Sequence, residues 1–210
     1  MTLNNDNNII NQISNMSEEQ LEQVDLEVFL VSKATSTHDL YFARKERLDT
    51  ELAKWIKGSI KKELNAIKFE DENNNKKFFI SDYDFELTKK DFIAKLNLES
   101  DRSLKSKKDK LLQALLETSS IEDSQVKFQV IKVSYNEESA YFIYYRGVKL
   151  SAMNKKNVGK LPTIRHREEL VIQENDVVEF GGKIELFILG DYFYIVSPRT
   201  LEYSFDPFVF

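Results

Sequence analysis

The stretch from Lys183 to Phe210, KIELFILGDYFYIVSPRTLEYSFDPFVF, constrains the fold more than any other part of the chain. Two apolar runs flank Gly190-Asp191, and a glycine-containing pair between such runs is the sequence form of a tight β-hairpin. A polar break at Ser197-Pro198-Arg199 follows, and then the aromatic positions Tyr203, Phe205, Phe208 and Phe210. The closing Phe-Asp-Pro-Phe-Val-Phe needs a cover, and Phe205, Phe208 and Phe210 are expected to dock on the core or on a second segment or chain. This is the pattern of a platform rather than of a catalytic site.

The segments before it have related character. VKFQVIKVSY, SAYFIYYRGV and ELVIQENDVVEF read as strands separated by turn signals at Asn136-Glu137-Glu138 and Gly181-Gly182, which predicts an antiparallel sheet. Leu26–Lys33 and Leu40–Glu46, joined by a Thr/Ser/His turn, predict an earlier hairpin. Between them and the later strands, Leu48, Leu52, Ile56, Ile60 and Leu64 recur every four residues with Trp55 and Ile67 beside them, the stripe of an amphipathic helix. Asp49 near its start and Lys61-Lys62 near its end suit the helix dipole. KFFISDYDFEL predicts a strand leading into a short helix over Thr88–Leu96. ESDRSLKSKKDK predicts a linker or exposed loop, followed by a helix from about Lys107 to Thr118 with Leu111, Leu112, Leu115 and Leu116 on one side. Residues before Val24 are rich in Asn, Gln and Glu and read as a frayed leader or as a short helix beginning after Ser17, where Ser17-Glu18-Glu19-Gln20 fits a capping box.

The expected class is therefore α+β, an antiparallel sheet with packed helices. It divides into a polar leader (1–24), an N-terminal α+β sub-lobe (25–97), a charged linker or loop (98–110) and a sheet-rich C-terminal part of the same domain (111–210).

Composition removes several function classes. With no Cys among 210 residues, disulfides, thiolate catalysis and Cys-based zinc sites are out. The two histidines, His38 in a Thr-Ser-Thr-His-Asp turn and His166 between Arg165 and Arg167, lack metal-ligand spacing, and no metal or cofactor is expected. A formal charge of -5 argues against a chain that coats nucleic acid or anionic lipid with its whole surface. No run approaches the roughly 20 apolar residues of a membrane span, and MTLNNDNNIINQ has no signal-peptide pattern, so the chain is expected to be soluble and cytoplasmic.

Two basic runs remain as candidate phosphate-binding surfaces. One is Arg102, Lys105, Lys107, Lys108 and Lys110; the other is Lys149, Lys155, Lys156, Lys160, Arg165, His166 and Arg167, with little acid between. Such runs follow a phosphate backbone by charge, independently of sequence, and equally make ordinary solvated loops. Three carboxylate pairs, Glu46 with Asp49, Asp82 with Asp84 and Glu174 with Asp176, have the donor chemistry for Mg2+ if brought together, against the commoner reading as caps and surface charges. Tyr141, Tyr144 and Tyr145 could stack bases, but Tyr141, Ile143 and Tyr145 alternate with Phe142 and Tyr144, which predicts a central strand covered on both faces. Gly181-Gly182 lacks the spacing of a phosphate loop and predicts a tight turn.

The second half also resembles a bacterial domain family. Asp191, Tyr194, Ile195, Pro198, Leu201, Glu202 and Phe205, preceded by the strands Phe128–Val133 and Tyr141–Tyr145, are similar to the family that includes the B subunit of the Kiwa anti-phage defence system, and Leu40–Lys45 fits its early strand. Members of that family run on into a helical region, so this chain resembles their N-terminal part. The resemblance implies a non-enzymatic DNA-binding subunit that is recruited by a membrane-embedded sensor partner. The residues alone leave open two other readings, a metal-dependent nuclease and a protein-interaction module without nucleic acid.

Overall fold

Residues 8–34, 40–66, 81–82, 94–97, 102–144, 149–152, 178–181, 184 and 186–195 are described by a computed structural model. In chain order they form α1 (Ile9–Asn15), α2 (Glu18–Glu22), β1 (Asp25–Lys33), β2 (Tyr41–Lys45), α3 (Thr50–Ala66), β3 (Ser81–Asp82), β4 (Ala94–Asn97), α4 (Arg102–Leu116), β5 (Phe128–Tyr135), β6 (Glu138–Tyr144), β7 (Lys149–Ala152), β8 (Val178–Gly181), β9 (Leu186–Leu189) and β10 (Tyr192–Ile195). The class is α+β. Eight strands make one sheet in the order β2-β1-β5-β6-β9-β10-β4-β3, antiparallel except where β3 runs parallel to β4, and β7 and β8 pair separately.

Period-two alternation sorts the sheet's side chains onto two faces, and each face has its own helices. Val28, Ile131, Val133, Ala140, Phe142, Tyr144 and Phe187 point to α1, α2 and α3; Phe29, Val31, Phe128, Val130, Ile143 and Ile188 point to α4. The every-fourth stripe of α3 is the reason it lies on the sheet: Leu52, Ile56, Ile60 and Leu64 are all buried. Each contributes roughly 1.5–3 kcal/mol relative to an exposed position. Strand β6, between β5 and β9, is covered on both faces as its double apolar pattern predicts.

The N-terminal residues are held by apolar burial and by local hydrogen bonds. The capping box at Ser17 forms: the Gln20 N–H donates to Ser17 Oγ (3.2 Å) and the Ser17 N–H to Gln20 Oε1 (2.9 Å). Upstream of it lies a second helix, α1, capped by Asn8 and burying Ile9, Ile10 and Ile13 in the core under α3. Carbonyls near the C-terminal ends of α1 and α2 find donors along one edge of α3. Lys57 Nζ reaches Glu22 O (3.0 Å), Lys61 Nζ reaches Met16 O, and Asn65 Nδ2 reaches Ser14 O (3.3 Å).

Two expectations need correction. Helix α4 starts at Arg102, so most of the stretch expected to be a linker is its first two turns; Lys and Arg are adequate helix formers, and the leucine stripe that follows pulls them into register. Residues 94–96, expected to end a helix, are strand, because the edge of β10 supplies a backbone ladder that overrides their weak β preference. Strands from residues up to 97 pair with strands from residue 128 onward toward both ends of the sheet, β1 with β5 and β4 with β10.

Two turns explain how the long hairpins close. Gly190 has φ +56° at the first position of the β9–β10 turn, the conformation that a two-residue loop assigns to glycine. The β5–β6 turn instead places Asn136 (φ 49°) and Glu137 (φ 66°) in the left-handed region. Asn tolerates it; Glu is strained by roughly 1 kcal/mol. Glu137→Gly is expected to gain up to about that amount, seen as a higher urea midpoint at unchanged slope.

Candidate nucleic-acid interface

Helix α4 receives its lysines at positions whose fates differ. The apolar side, Leu111, Ala114 and Leu115, rests on β1, β2 and β5 residues. One turn earlier, Lys108 turns the same way: its Nζ donates to Gly190 O (2.6 Å) and to Asp191 Oδ1 (3.1 Å), and its side chain is only 12% exposed. It closes the β9–β10 turn against α4 and does not present its charge to a ligand. Lys107 is half-buried, while Lys105 and Lys110 are exposed. Asp109, Gln113 and Glu117 are exposed beside them, so the outer side of α4 carries both signs of charge. The basic run read from sequence is thus split, with two of its lysines facing water. One feature favours anions at its beginning: the first turn of this 15-residue helix contains Arg102 and Lys105 and no acid, at the positive end of the dipole.

The second run is framed by β7 and β8. Ala152 pairs directly with Val178 and Lys149 with Gly181, so the segment between the two strands leaves and returns at one place. Lys155, Lys156, Lys160, Arg165, His166 and Arg167 lie outside the described residues, as do His38, Tyr145, Asp84, Glu174, Asp176, Gly182, Phe205, Phe208 and Phe210. Strand β8 rests against α3. Glu63 on α3 accepts the Ile184 N–H (2.7 Å) and so pins the chain that leaves this hairpin.

Tyr144 lies close to Glu63 and is fully buried. Burial first, and then the Glu63 charge, push its phenol well above the ordinary 10.0. The native state therefore keeps this proton at pH values where the unfolded chain has lost it. Above pH 10 the unfolded state binds fewer protons, and stability falls as pH rises. Tyr144→Phe is expected to flatten that alkaline limb in urea titrations taken between pH 9 and about pH 11; an unchanged limb would place the linkage elsewhere.

Of the candidate metal pairs, Glu46 accepts from Arg44 Nε (3.0 Å) and Asp49 Oδ1 caps α3 through the Leu52 N–H (2.9 Å). Among the described residues no group of three or more His, Asp or Glu side chains is arranged to hold a metal ion. No described helix is long and apolar enough to cross a membrane.

A charged row that the sequence reading did not single out lies on the α4 side of the sheet. Glu27 faces Lys132 across β1–β5 and bonds it at 3.0 Å, with Lys45 from β2 on its other oxygen. The Lys45 hydrogen bond, opposed by partial burial and helped by Lys132, holds the Glu27 carboxyl below the usual range; Glu27 raises Lys132 in return. Nothing local marks this trio, because it exists only once the strand register is known. Comparison of the chain with protein-family models, with curated proteins and with solved structures finds no match.

Proposed function

We propose that this chain is a non-enzymatic, DNA-binding subunit of a bacterial defence system that acts with a membrane-embedded partner, and that it grips the phosphate backbone through the segment between β7 and β8. The observation that carries the reading is compositional and topological. The fifteen residues 153–167 contain five Lys or Arg and no Asp or Glu, in a chain whose net charge is -5, and their strands of exit and return are paired. A local cationic loop on an acidic molecule binds phosphate by charge while the rest of the surface discourages coating. The cationic first turn of α4 adds to this, and the partner and the defence role rest on the resemblance to the Kiwa family.

The test is equilibrium binding to labelled duplex and single-stranded DNA across a salt series, beside a variant with Lys155, Lys156, Lys160, Arg165 and Arg167 changed to Ala. If all five contact duplex phosphates, log affinity should fall against log salt with a slope of about -4.5, roughly 500-fold between 50 and 200 mM. The variant should lose that slope together with the binding. An equally tight, equally salt-sensitive variant would remove the loop from the interface, and absence of binding at low salt would remove DNA from the proposal.

A further inference from the structure

Strands β6 and β9 are antiparallel neighbours in the main sheet, so a short turn could join them. The chain instead forms the β7–β8 hairpin between them, and among the described residues these two strands pair with each other and with no strand of the main sheet. Both roots of this excursion lie at one end of the sheet, because Ile143, next to the last residue of β6, pairs with Leu186, the first residue of β9. The roots are fixed in the core. Tyr144 is 1% exposed and Ile184 3%, in one cluster with Leu64 of α3. A single side chain reaches both: Glu63 Oε2 accepts the Ile184 N–H at 2.7 Å, and its charge is near enough to raise the Tyr144 phenol. Beyond the roots, β8 rests on α3. A two-stranded hairpin is at best marginally stable in water by itself, so the order of this one depends on its docking.

We propose that the β7–β8 hairpin opens from α3 as one unit while the eight-stranded sheet stays folded, and that Glu63 is the latch that sets how often it opens. The separation follows from the topology. The excursion leaves after Tyr144 and returns before Leu186, so the β5–β6 and β6–β9 ladders remain whole when the hairpin moves. Opening gives up the contact of β8 with α3 and whatever fixes the direction of the return root. At that root the Glu63 bond joins a carboxylate to a backbone N–H in a partly buried place, which is the stronger class of hydrogen bond. Without it, Ile184 keeps its apolar burial, but its N–H no longer fixes the angle at which the hairpin meets α3. The segment between β7 and β8 is carried by the hairpin, so the same bond fixes where that segment is presented. The inference stands whether or not the segment binds nucleic acid.

The experiment is native-state amide hydrogen exchange at low urea concentrations on the native chain, Glu63→Ala and Glu63→Gln, comparing β7 and β8 with β5 and β6. In the native chain the β7–β8 amides are expected to exchange through an opening that low urea barely affects, while those of β5 and β6 follow global unfolding. Glu63→Ala should speed exchange in β7 and β8 by roughly 10- to 100-fold beyond any change in β5 and β6. Glu63→Gln keeps an acceptor without the charge and should fall between the native chain and Glu63→Ala. Exchange of the hairpin in step with β5 and β6 in the native chain overturns the separate opening. A Glu63→Ala chain in which both sets speed up equally, or neither does, overturns the latch. If Glu63→Ala does not fold, Glu63→Gln decides by the same comparison, with faster exchange confined to β7 and β8 as the expected result.

Discussion

Phe142→Ala is expected to lower global stability by about 3–5 kcal/mol, the range for removing a fully buried aromatic ring. Phe142 is 0% exposed on β6, opposite Ile131 on one neighbouring strand and Phe187 on the other, with its ring centroid 5.8 Å from that of Phe187. Truncation removes the apolar contact and leaves a cavity, because β5 and β9 are tied to β6 by backbone ladders that hold the walls apart. Against a total stability of about 5–15 kcal/mol, this removes roughly a fifth or more of the margin. Phe42→Ala, at an exposed edge position, is the control and should change stability by no more than about 0.5 kcal/mol. Urea unfolding of the two variants at equal slope measures both; similar losses would mean that the two-faced core is not where the stability resides.

What the sequence revealed and what it hid divide along the line between local and distant causes. The Ser17 capping box, the α3 stripe and the Gly190 turn are written in residues at most a few positions apart, and each formed where the pattern placed it. The charged start of α4 was hidden because a Lys-rich run without apolar positions looks the same in a helix and in a loop. The role of Lys108 was hidden more deeply, since Asp191, its partner, is 83 residues away. For the same reason Glu27, Lys45 and Lys132 gave no signal as a group. Strand β4 has no propensity to announce it; Ala94-Lys95-Leu96-Asn97 is a strand because β10 lies beside it. Of the candidate interface, charge composition was legible throughout, while the separation of exposed from committed lysines required the fold.

The Asn-rich N-terminal segment is where sequence reading and burial diverge most, and Ile13→Ala tests it with an expected loss of about 2–5 kcal/mol. Ile9, Ile10 and Ile13 sit at i, i+1 and i+4, the spacing of a one-sided helix, but seven helical residues among Asn and Gln give too short a pattern to stand out. All three are buried to 1% or less, in one cluster with Ile56, Ile60, Phe142 and Phe187. A helix so short has little stability of its own, so its order comes from this burial and from the α3 side chains that bond the backbone of 14–22. If the segment is part of the cooperative core, Ile13→Ala shifts the urea midpoint and leaves the slope unchanged, and protection of the α1 amides falls together with that of β5 and β6. If it is only laid on the surface, the variant loses α1 protection alone and the midpoint stays. The first outcome is expected, because removing the segment would uncover the face of β6 that carries Phe142 and Tyr144, and no other described helix besides α2 and α3 covers that face.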